Sequence, residues 1–169
     1  MRVLVTAASK HEGTVEIAEA IARKLTELGV SAASRRPDEV ESVADYDAVI
    51  LGSGVYAGHW LSAATGFAAR HRDALRERPV WLFSSGPIGS PDPKPPGDPE
   101  EVARLISELQ AHAHRVFAGR LDRRRLGFGE RAIVSVVRAR DGDYRAWPLI
   151  EAWAREIAEV LAPQPVAAI

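Results

Sequence analysis

The chain has 169 residues, of which 46% are hydrophobic and 27% charged, and its formal net charge is −1. These values are typical of one globular domain, and so small a net charge supplies no field that would attract nucleic acid. Because the chain contains no cysteine, disulfides, thiol catalysis and zinc–thiolate sites are excluded.

The first residues form a short β-branched run, which lacks the long apolar region and small-residue cleavage site of a signal peptide. No apolar run approaches the length of about 18 residues that a membrane-spanning helix needs. We therefore expect a cytoplasmic protein.

Apolar runs that are typical of strands alternate with segments of helical periodicity. The predicted strands are residues 3–5, 30–34, 47–52, 79–84 and 115–119. The second run is only weakly apolar, which indicates an edge strand, whereas the third is the strongest candidate for a central strand.

Four segments have apolar residues at helical spacing, and they are predicted as helices at about 14–28, 61–76, 99–112 and 148–161. Gly29 predicts a left-handed end for the first helix, and the turn Asp141-Gly142-Asp143 is interpreted as the cap of the last. Residues 86–99 hold six prolines and must form a loop.

Repeated strand–helix alternation predicts a parallel sheet with helices on both faces. For five strands the commonest doubly wound order is the flavodoxin-like 2-1-3-4-5, whose ligand site lies at the carboxyl ends of strands 1 and 3. We expect one α/β domain over residues 1–162 and a frayed tail over 163–169.

The loop after the first strand, residues 9–14 (called the first loop below), reads Ser-Lys-His-Glu-Gly-Thr and leads directly into a helix. Unpaired N–H groups and the helix dipole favour an anion there, and hydroxyls and Lys10 add to this. An ordinary capped loop carries the same hydroxyls, so the loop alone leaves both interpretations open. It matches neither a Walker loop nor a dinucleotide fingerprint.

Two further glycine-bearing loops follow strands 3 and 4. Residues 52–60 carry three glycines, which let backbone approach a flat ligand, beside Tyr56, His59 and Trp60. For Trp60 we favour simple packing at the start of the next helix. Residues 84–89 add hydroxyls and backbone amides at the same predicted edge.

Together, S-K-H-x-G-T before a helix and G-S-x-V-Y-x-G-H-W after strand 3 resemble the flavodoxin domain family. More closely, the chain resembles the branch that contains menaquinone-dependent protoporphyrinogen IX dehydrogenase, which also shows the late turn found here at residues 143–147 (Asp-Tyr-Arg-Ala-Trp). The resemblance covers essentially the whole chain.

The resemblance implies FMN as the cofactor, with one loop for its phosphate, one for its ring and one for the polar edge of the ring. The implied binding residues are, in that order, Ser9, Lys10, His11, Glu12, Gly13 and Thr14; Ser53, Gly54, Val55, Tyr56, Ala57 and Gly58; and Ser84, Ser85, Gly86, Pro87, Ile88 and Gly89. Glu12 is a departure, because related loops usually carry glycine there. Its carboxylate repels a phosphate unless it turns to solvent or pairs with Lys10.

The resemblance further implies an FMN-dependent oxidoreductase that passes electrons between a small organic, porphyrinogen-like donor and a quinone-like acceptor. No acid–base pair stands out, and His11 and His59 are the candidates for proton handling. The alternatives are a non-catalytic flavodoxin-like electron carrier and a flavin-free interaction domain. Flavodoxin carriers are usually strongly acidic, which disfavours the first alternative at a net charge of −1.

Other classes that share or mimic this topology lack their chemistry here. Receiver domains need carboxylates after strands 1 and 3, where this chain has Thr6-Ala7 and Gly52-Ser53. Low-molecular-weight phosphatases need a cysteine nucleophile. The five histidines form no convincing ligand set, so no metal site is predicted.

Residues 120–140 hold seven arginines against two acidic residues, a local net charge of +5. They also carry an apolar stripe, Ala132, Ile133, Val136 and Val137. In the dehydrogenases that the chain resembles, an insertion here is thought to serve membrane or quinone access, which implies peripheral contact with the inner face of the membrane. A helix packed on the sheet with solvated arginines is the favoured alternative. A homodimer through surface helices is also left open.

Overall fold

A computed structural model gives the fold, and it describes residues 1–86, 100–129, 131 and 141–162. Most of the predicted proline-rich loop, the apolar stripe of residues 132–137 and the predicted frayed tail therefore lie outside the described residues.

The described strands are β1 (Arg2–Ala8), β2 (Ser31–Arg35), β3 (Ala48–Tyr56), β4 (His59–Trp60), β5 (Val80–Ser85), β6 (Ala113–Phe117), β7 (Arg120–Leu121) and β8 (Gly142–Asp143). The described helices are α1 (Gly13–Glu27), α2 (Ser62–Arg70), α3 (Arg72–Arg76), α4 (Glu100–Leu109) and α5 (Trp147–Leu161), with a 3₁₀ turn at Arg123–Arg125.

The main sheet has the strand order β2-β1-β3-β5-β6, and each of these neighbours pairs in parallel. The predicted order 2-1-3-4-5 is confirmed, with the weakly apolar β2 at an edge. The central strands are apolar throughout because both of their faces are covered. One core layer lies beneath α1 and α5, and the other lies beneath α2, α3 and α4.

The first and last helices of the described chain pack against the same face of the sheet. Ile17 and Ile21 of α1 share a core with Trp153 and Ile157 of α5. At the rim of this contact the Lys24 Nζ lies 3.3 Å from a carboxylate oxygen of Glu151. Helix α1 therefore buries its apolar face against both the sheet and helix α5.

Strand β3 ends four residues later than predicted and continues through Gly52 and Gly54 to Tyr56. It then turns back into β4, so part of the predicted loop is a β-hairpin in which Val55 pairs with Trp60. Gly52 is required by packing, because a methyl group placed on it would lie 2.2 Å from the ring of Phe83. The glycines that suggested a loop thus include one that accommodates a buried aromatic ring.

Two other local predictions are wrong. The helix predicted at 61–76 is two helices, which are separated at His71. The turn at residues 141–143 does not cap α5, since Gly142–Asp143 pairs with Arg120–Leu121 and the N-cap residue is Ala146. The left-handed Gly29, at φ 85°, is confirmed.

Candidate functional site

The first loop lies at the carboxyl edge of the sheet and ends in the first turn of α1. The Thr14 N–H donates to the Ser9 Oγ at 3.3 Å, which closes the loop on itself. Glu12 is the N-cap residue and has the left-handed conformation, with φ 65°. Glycine adopts this conformation freely, which gives a physical reason for the glycine that resembling proteins have there.

The Glu12 carboxylate accepts a hydrogen bond from the Arg36 Nη2 at 2.7 Å. Arg36 follows β2, so this ion pair ties the first loop to the edge strand. The hydrogen bond and the negative charge of Glu12 raise the pKa of Arg36. Arg36 is thus a partner for Glu12 that no local sequence pattern predicts.

The first loop meets the end of β3 at Tyr56. The Lys10 Nζ lies over the Tyr56 ring, 4.7 Å from its centre, and the His11 ring approaches it edge-on with 6.3 Å between centroids. A methyl group on Gly54 would lie 2.7 Å from the same ring and 3.2 Å from the Thr14 Oγ1. Loop and hairpin therefore touch where the sequence predicted a shared site.

The third predicted loop reaches the same region through Gly86. Its φ is 93°, and its N–H donates to the carbonyl of Phe117 at 2.9 Å. A methyl group on Gly86 would lie 3.8 Å from the carbonyl oxygen of Val55. Pro87, Ile88 and Gly89 lie outside the described residues.

Two predicted ligand-binding serines are buried and hydrogen-bonded within the protein. The Ser53 Oγ donates to the carbonyl of Gly54 at 2.8 Å and accepts from the N–H of Leu61 at 3.0 Å. The Ser84 Oγ accepts from the Trp60 Nε1 at 2.8 Å and lies 2.9 Å from the His114 Nε2. These hydroxyls fix the hairpin (residues 53–60), so a ligand would meet these residues through their backbone.

Trp60 is 5% exposed and belongs to the core, as the packing interpretation predicted. Ser85 is also buried, while Ala57 and Gly58 form the exposed tip of the hairpin with φ values of 50° and 80°.

His59 is exposed and pairs with Glu101 at the start of α4. Its Nδ1 lies 3.0 Å from the Glu101 Oε1, which also accepts from the N–H of Trp60 at 3.2 Å. The pKa of the Glu101 carboxyl is lowered, first by a backbone hydrogen bond within Glu101 and then by His59. His59 pairs in register with Tyr56 across the hairpin, and the His11 ring lies beside the Tyr56 ring.

Two arginines that sequence reasoning did not assign to the site contact the first loop. Arg120 donates to both oxygens of Glu16, at 3.0 and 3.2 Å, and to the carbonyl of His11 at 3.2 Å. Arg145 donates to the Glu16 carboxylate and to the carbonyl of Gly13 at 3.3 Å. Glu16 in the first turn of α1 therefore lies between two guanidinium groups.

The guanidinium of Arg145 is enclosed, with 3% of the side chain exposed. Its Nε and Nη2 bind the two oxygens of Asp143 at 2.8 and 2.6 Å, and its Cζ lies 4.5 Å above the Trp147 ring. The hydrogen bond from Arg145 lowers the pKa of Asp143. For Glu16, burial raises the pKa, but the hydrogen bonds and charges of Arg145 and Arg120 outweigh it and leave the pKa low.

The turn at residues 143–147 was noticed in the sequence, but its contact with the first loop was not predicted. Within the part of the chain that the structure describes, no three histidine, aspartate or glutamate side chains gather as metal ligands do. None of the described helices combines the length and the apolarity that crossing a membrane requires.

Comparison with known proteins decides the family. The flavodoxin domain model matches residues 4–146. The chain belongs to the flavodoxin domain family. Members of this family bind flavin, usually FMN, and membership supports a flavin oxidoreductase or an electron carrier as the broad functional class.

Among curated proteins, the chain is similar to protoporphyrinogen IX dehydrogenase [quinone] of Escherichia coli (strain K12). The two are 25% identical, over 95% of this chain and 96% of that protein. The solved structure of flavodoxin 1 from Bacillus cereus matches with a TM-score of 0.62 at 16% identity, over 96% of this chain and 100% of that one. Rubredoxin oxygen:oxidoreductase from Desulfovibrio gigas matches with a TM-score of 0.65 at 13% identity, over 95% of this chain but 36% of that longer one. The two structural matches bear on the fold alone.

The residues at the edge of this flavodoxin-family sheet fit FMN. The first turn of α1 offers backbone N–H groups and a positive helix end, Lys10 adds a cation, and Glu12 is paired with Arg36. Beside them, Tyr56 stands over Gly54, where a flat ring has both an aromatic partner and backbone without a Cβ.

Proposed function

We propose that this chain is an FMN-dependent oxidoreductase that passes electrons between a small organic, porphyrinogen-like donor and a quinone-like acceptor. The observation that carries the proposal is the contact between the first loop and Tyr56, which puts an anion-binding helix end beside an aromatic ring. The similarity to a protein named protoporphyrinogen IX dehydrogenase [quinone], over 95% of this chain, supports the donor and acceptor classes.

In this proposal residues 9–14 hold the phosphate, residues 53–58 lie against the ring and residues 84–89 face its polar edge. FMN, when bound, supplies the hydride or electron chemistry. The protein's part is to orient the ring and to exclude water from it. His11 and His59 stay our candidates for moving a proton, because the His11 ring lies beside Tyr56 and His59 is paired with Tyr56 across the hairpin. One FMN-binding domain over residues 1–162, the frayed tail and a homodimer likewise remain predictions.

The test is reconstitution of the purified protein with FMN. We expect a shifted visible spectrum and quenched flavin fluorescence at micromolar FMN, followed by anaerobic reduction and reoxidation on addition of a soluble quinone. Absence of any spectral change at micromolar FMN would overturn the flavin proposal. FMN binding without reoxidation by the quinone would favour a carrier for other partners.

We also propose that residues 120–140 contact the inner face of the membrane from the cytoplasm. Phe128 is 95% exposed and follows the exposed Arg124 and Arg125, an arrangement that suits an anionic lipid surface. We expect the protein to pellet with anionic vesicles at low salt. Pelleting should weaken when Arg123, Arg124 and Arg125 become serine, or when Phe128 does. A protein that does not pellet in its unmodified form would contradict the proposal.

A further inference from the structure

Arg120 and Arg145 bind backbone carbonyls of the first loop as well as Glu16 in the first turn of α1. Arg120 donates to the carbonyl of His11, and Arg145 donates to the carbonyl of Gly13. Each of these carbonyls belongs to a planar trans peptide, in which the N–H of the following residue points the opposite way. The N–H groups of Glu12 and Thr14 are therefore turned away from the arginines by the same contacts, and that of Thr14 donates to the Ser9 Oγ at 3.3 Å.

This orientation is the one that an anion-binding loop needs. Backbone N–H groups at a helix start bind a phosphate only when they face it, and a loop peptide that flips presents its carbonyl oxygen instead. A flip at either peptide would cost the hydrogen bond to an arginine. Since Arg145 is enclosed by Asp143, Glu16 and Trp147, it has little freedom to follow such a flip.

The side chains of Arg120, Arg145, Glu16 and Asp143 form a charge cluster beside the first loop. Its charges indicate that it orients the loop peptides rather than attracts the phosphate. Arg120 and Arg145 carry two positive charges, and their partners Glu16 and Asp143 carry two negative ones. The pKa of each carboxyl is lowered, so both are ionised at neutral pH. A neutral cluster adds little to the field at a phosphate, whereas its hydrogen bonds still fix the peptides.

We propose that Arg145, assisted by Arg120, is a positioning residue for the cofactor phosphate: together they fix the 11–12 peptide with the Glu12 N–H toward the anion and the 13–14 peptide with the Thr14 N–H on the Ser9 Oγ, whose own hydroxyl hydrogen is then left to donate to the anion. This inference rests on the proposed FMN function. It also couples the β7–β8 pair to the cofactor, because Arg120 lies in β7 and Arg145 follows β8 by two residues. Phosphate binding and docking of this strand pair then stabilise each other reciprocally.

The test compares FMN with riboflavin, which has the same ring and no phosphate. Arg145→Lys keeps the charge but loses the forked contacts, and Arg145→Gln also removes the charge. We expect both variants to bind FMN about tenfold more weakly or worse, as loss of charge-assisted hydrogen bonds predicts, and to bind riboflavin as the unmodified protein does. The matched control is Arg115→Gln, which breaks the ion pair between Arg115 of β6 and Glu156 of α5. It should change the affinity for neither FMN nor riboflavin.

Glu16→Gln separates orientation from attraction. The substitution leaves a net positive charge beside the loop. If the cluster attracts the phosphate, FMN should bind more tightly. If the cluster positions the peptides, FMN should bind more weakly, because the arginines lose their shared partner. Tighter binding, or equal losses for FMN and riboflavin in the Arg145 variants, would overturn the inference. If the unmodified protein binds no FMN, the proposed function itself fails. If it binds FMN and the Arg145 variants keep its preference over riboflavin, only the positioning role fails.

Limited trypsin digestion supplies a readout without activity. The coupling predicts that FMN slows cleavage after Arg124 and Arg125 more than riboflavin does, and that Arg145→Lys abolishes this difference. Equal protection by the two flavins in the unmodified protein would contradict the coupling.

Discussion

The first loop and the hairpin lie side by side at the carboxyl edge of the sheet, yet they are held by different interactions. Arg36, Arg120 and Arg145 hold the loop through carboxylates that are about 36–44% exposed. The hairpin is held chiefly by neutral hydrogen bonds among buried groups, such as Trp60 to Ser84, and Glu101 is the charged residue that adds to them. Partly exposed ion pairs respond to salt and pH, whereas short buried hydrogen bonds are shielded from both. We infer that the loop proposed to hold the phosphate is the adjustable side, and that the hairpin proposed to lie against the ring is the fixed side.

The largest effect should come from the fixed side. Trp60→Ala removes a core indole and its hydrogen bond to Ser84, and we expect a loss of about 3–5 kcal/mol in the free energy of unfolding. Trp60→Phe, which keeps most of the packing, should cost about 1 kcal/mol. Urea unfolding at low and high salt checks this. A loss that changes greatly with salt would break the comparison.

Gly54→Ala tests the junction between the two sides. The added methyl group would lie 2.7 Å from the Tyr56 ring, so we expect a loss of about 1–3 kcal/mol and weaker flavin binding. Gly66→Ala in α2 is the control. Nothing lies within 4 Å of its added methyl group, and it should stabilise the protein by up to about 1 kcal/mol. Thermal unfolding of both variants measures the contrast. If Gly54→Ala leaves the stability unchanged, the close contact between Gly54 and the Tyr56 ring is contradicted.

The adjustable side should weaken in acid. The pKa of Glu16 is lower in the folded protein than its ordinary value of 4.5, so its contribution to stability is complete above that pH. It is lost as the pH falls through the folded-state pKa. Because Glu16 is partly exposed, we expect Glu16→Gln to cost about 1 kcal/mol at neutral pH. Melting curves from pH 7 to 3 should show the two proteins converging at the acid end, and a constant gap would refute this.

The smallest effect is expected at Glu12. Glu12→Gly relieves a left-handed conformation and loses the pair with Arg36, two changes of about 1 kcal/mol each that nearly cancel. FMN affinity should change by less than about threefold, because the carboxylate is already paired with Arg36. A flavin-free protein would instead gain FMN binding on this substitution. Arg36→Gln, which releases the carboxylate, should weaken FMN binding, and isothermal titration of both variants measures it.

The sheet could be predicted because buried parallel strands are continuous apolar runs. The run that contains Val49 and Ile50 is an example. The extension of β3 could not be, since Gly52 and Gly54 look like loop residues until the rings of Phe83 and Tyr56 are seen above them. The sequence shows that these two side chains are absent, and only the packing of the neighbouring rings shows the reason.

The candidate site, like the sheet, could be predicted only where a local sequence pattern indicates it. A helix start with hydroxyls and a lysine is a local pattern, so residues 9–14 could be predicted as a candidate site, and their contact with Tyr56 is seen in the structure. The partners of that loop were not, because Arg145 and Glu16 are 129 residues apart and Arg36 and Glu12 are 24 apart. Ion pairs between elements follow from topology and side-chain direction, neither of which leaves a periodic signal in the chain.

The packing of α1 against α5 has a consequence for synthesis. The helix that carries the first loop is translated before α5, so Ile17 and Ile21 find their last neighbours only when Trp153 and Ile157 have left the ribosome. Contacts between residues so far apart in sequence form late and slow the folding of a domain. The apolar face of α1 therefore stays partly uncovered until α5 docks, and we expect a flavin to be captured only after that step.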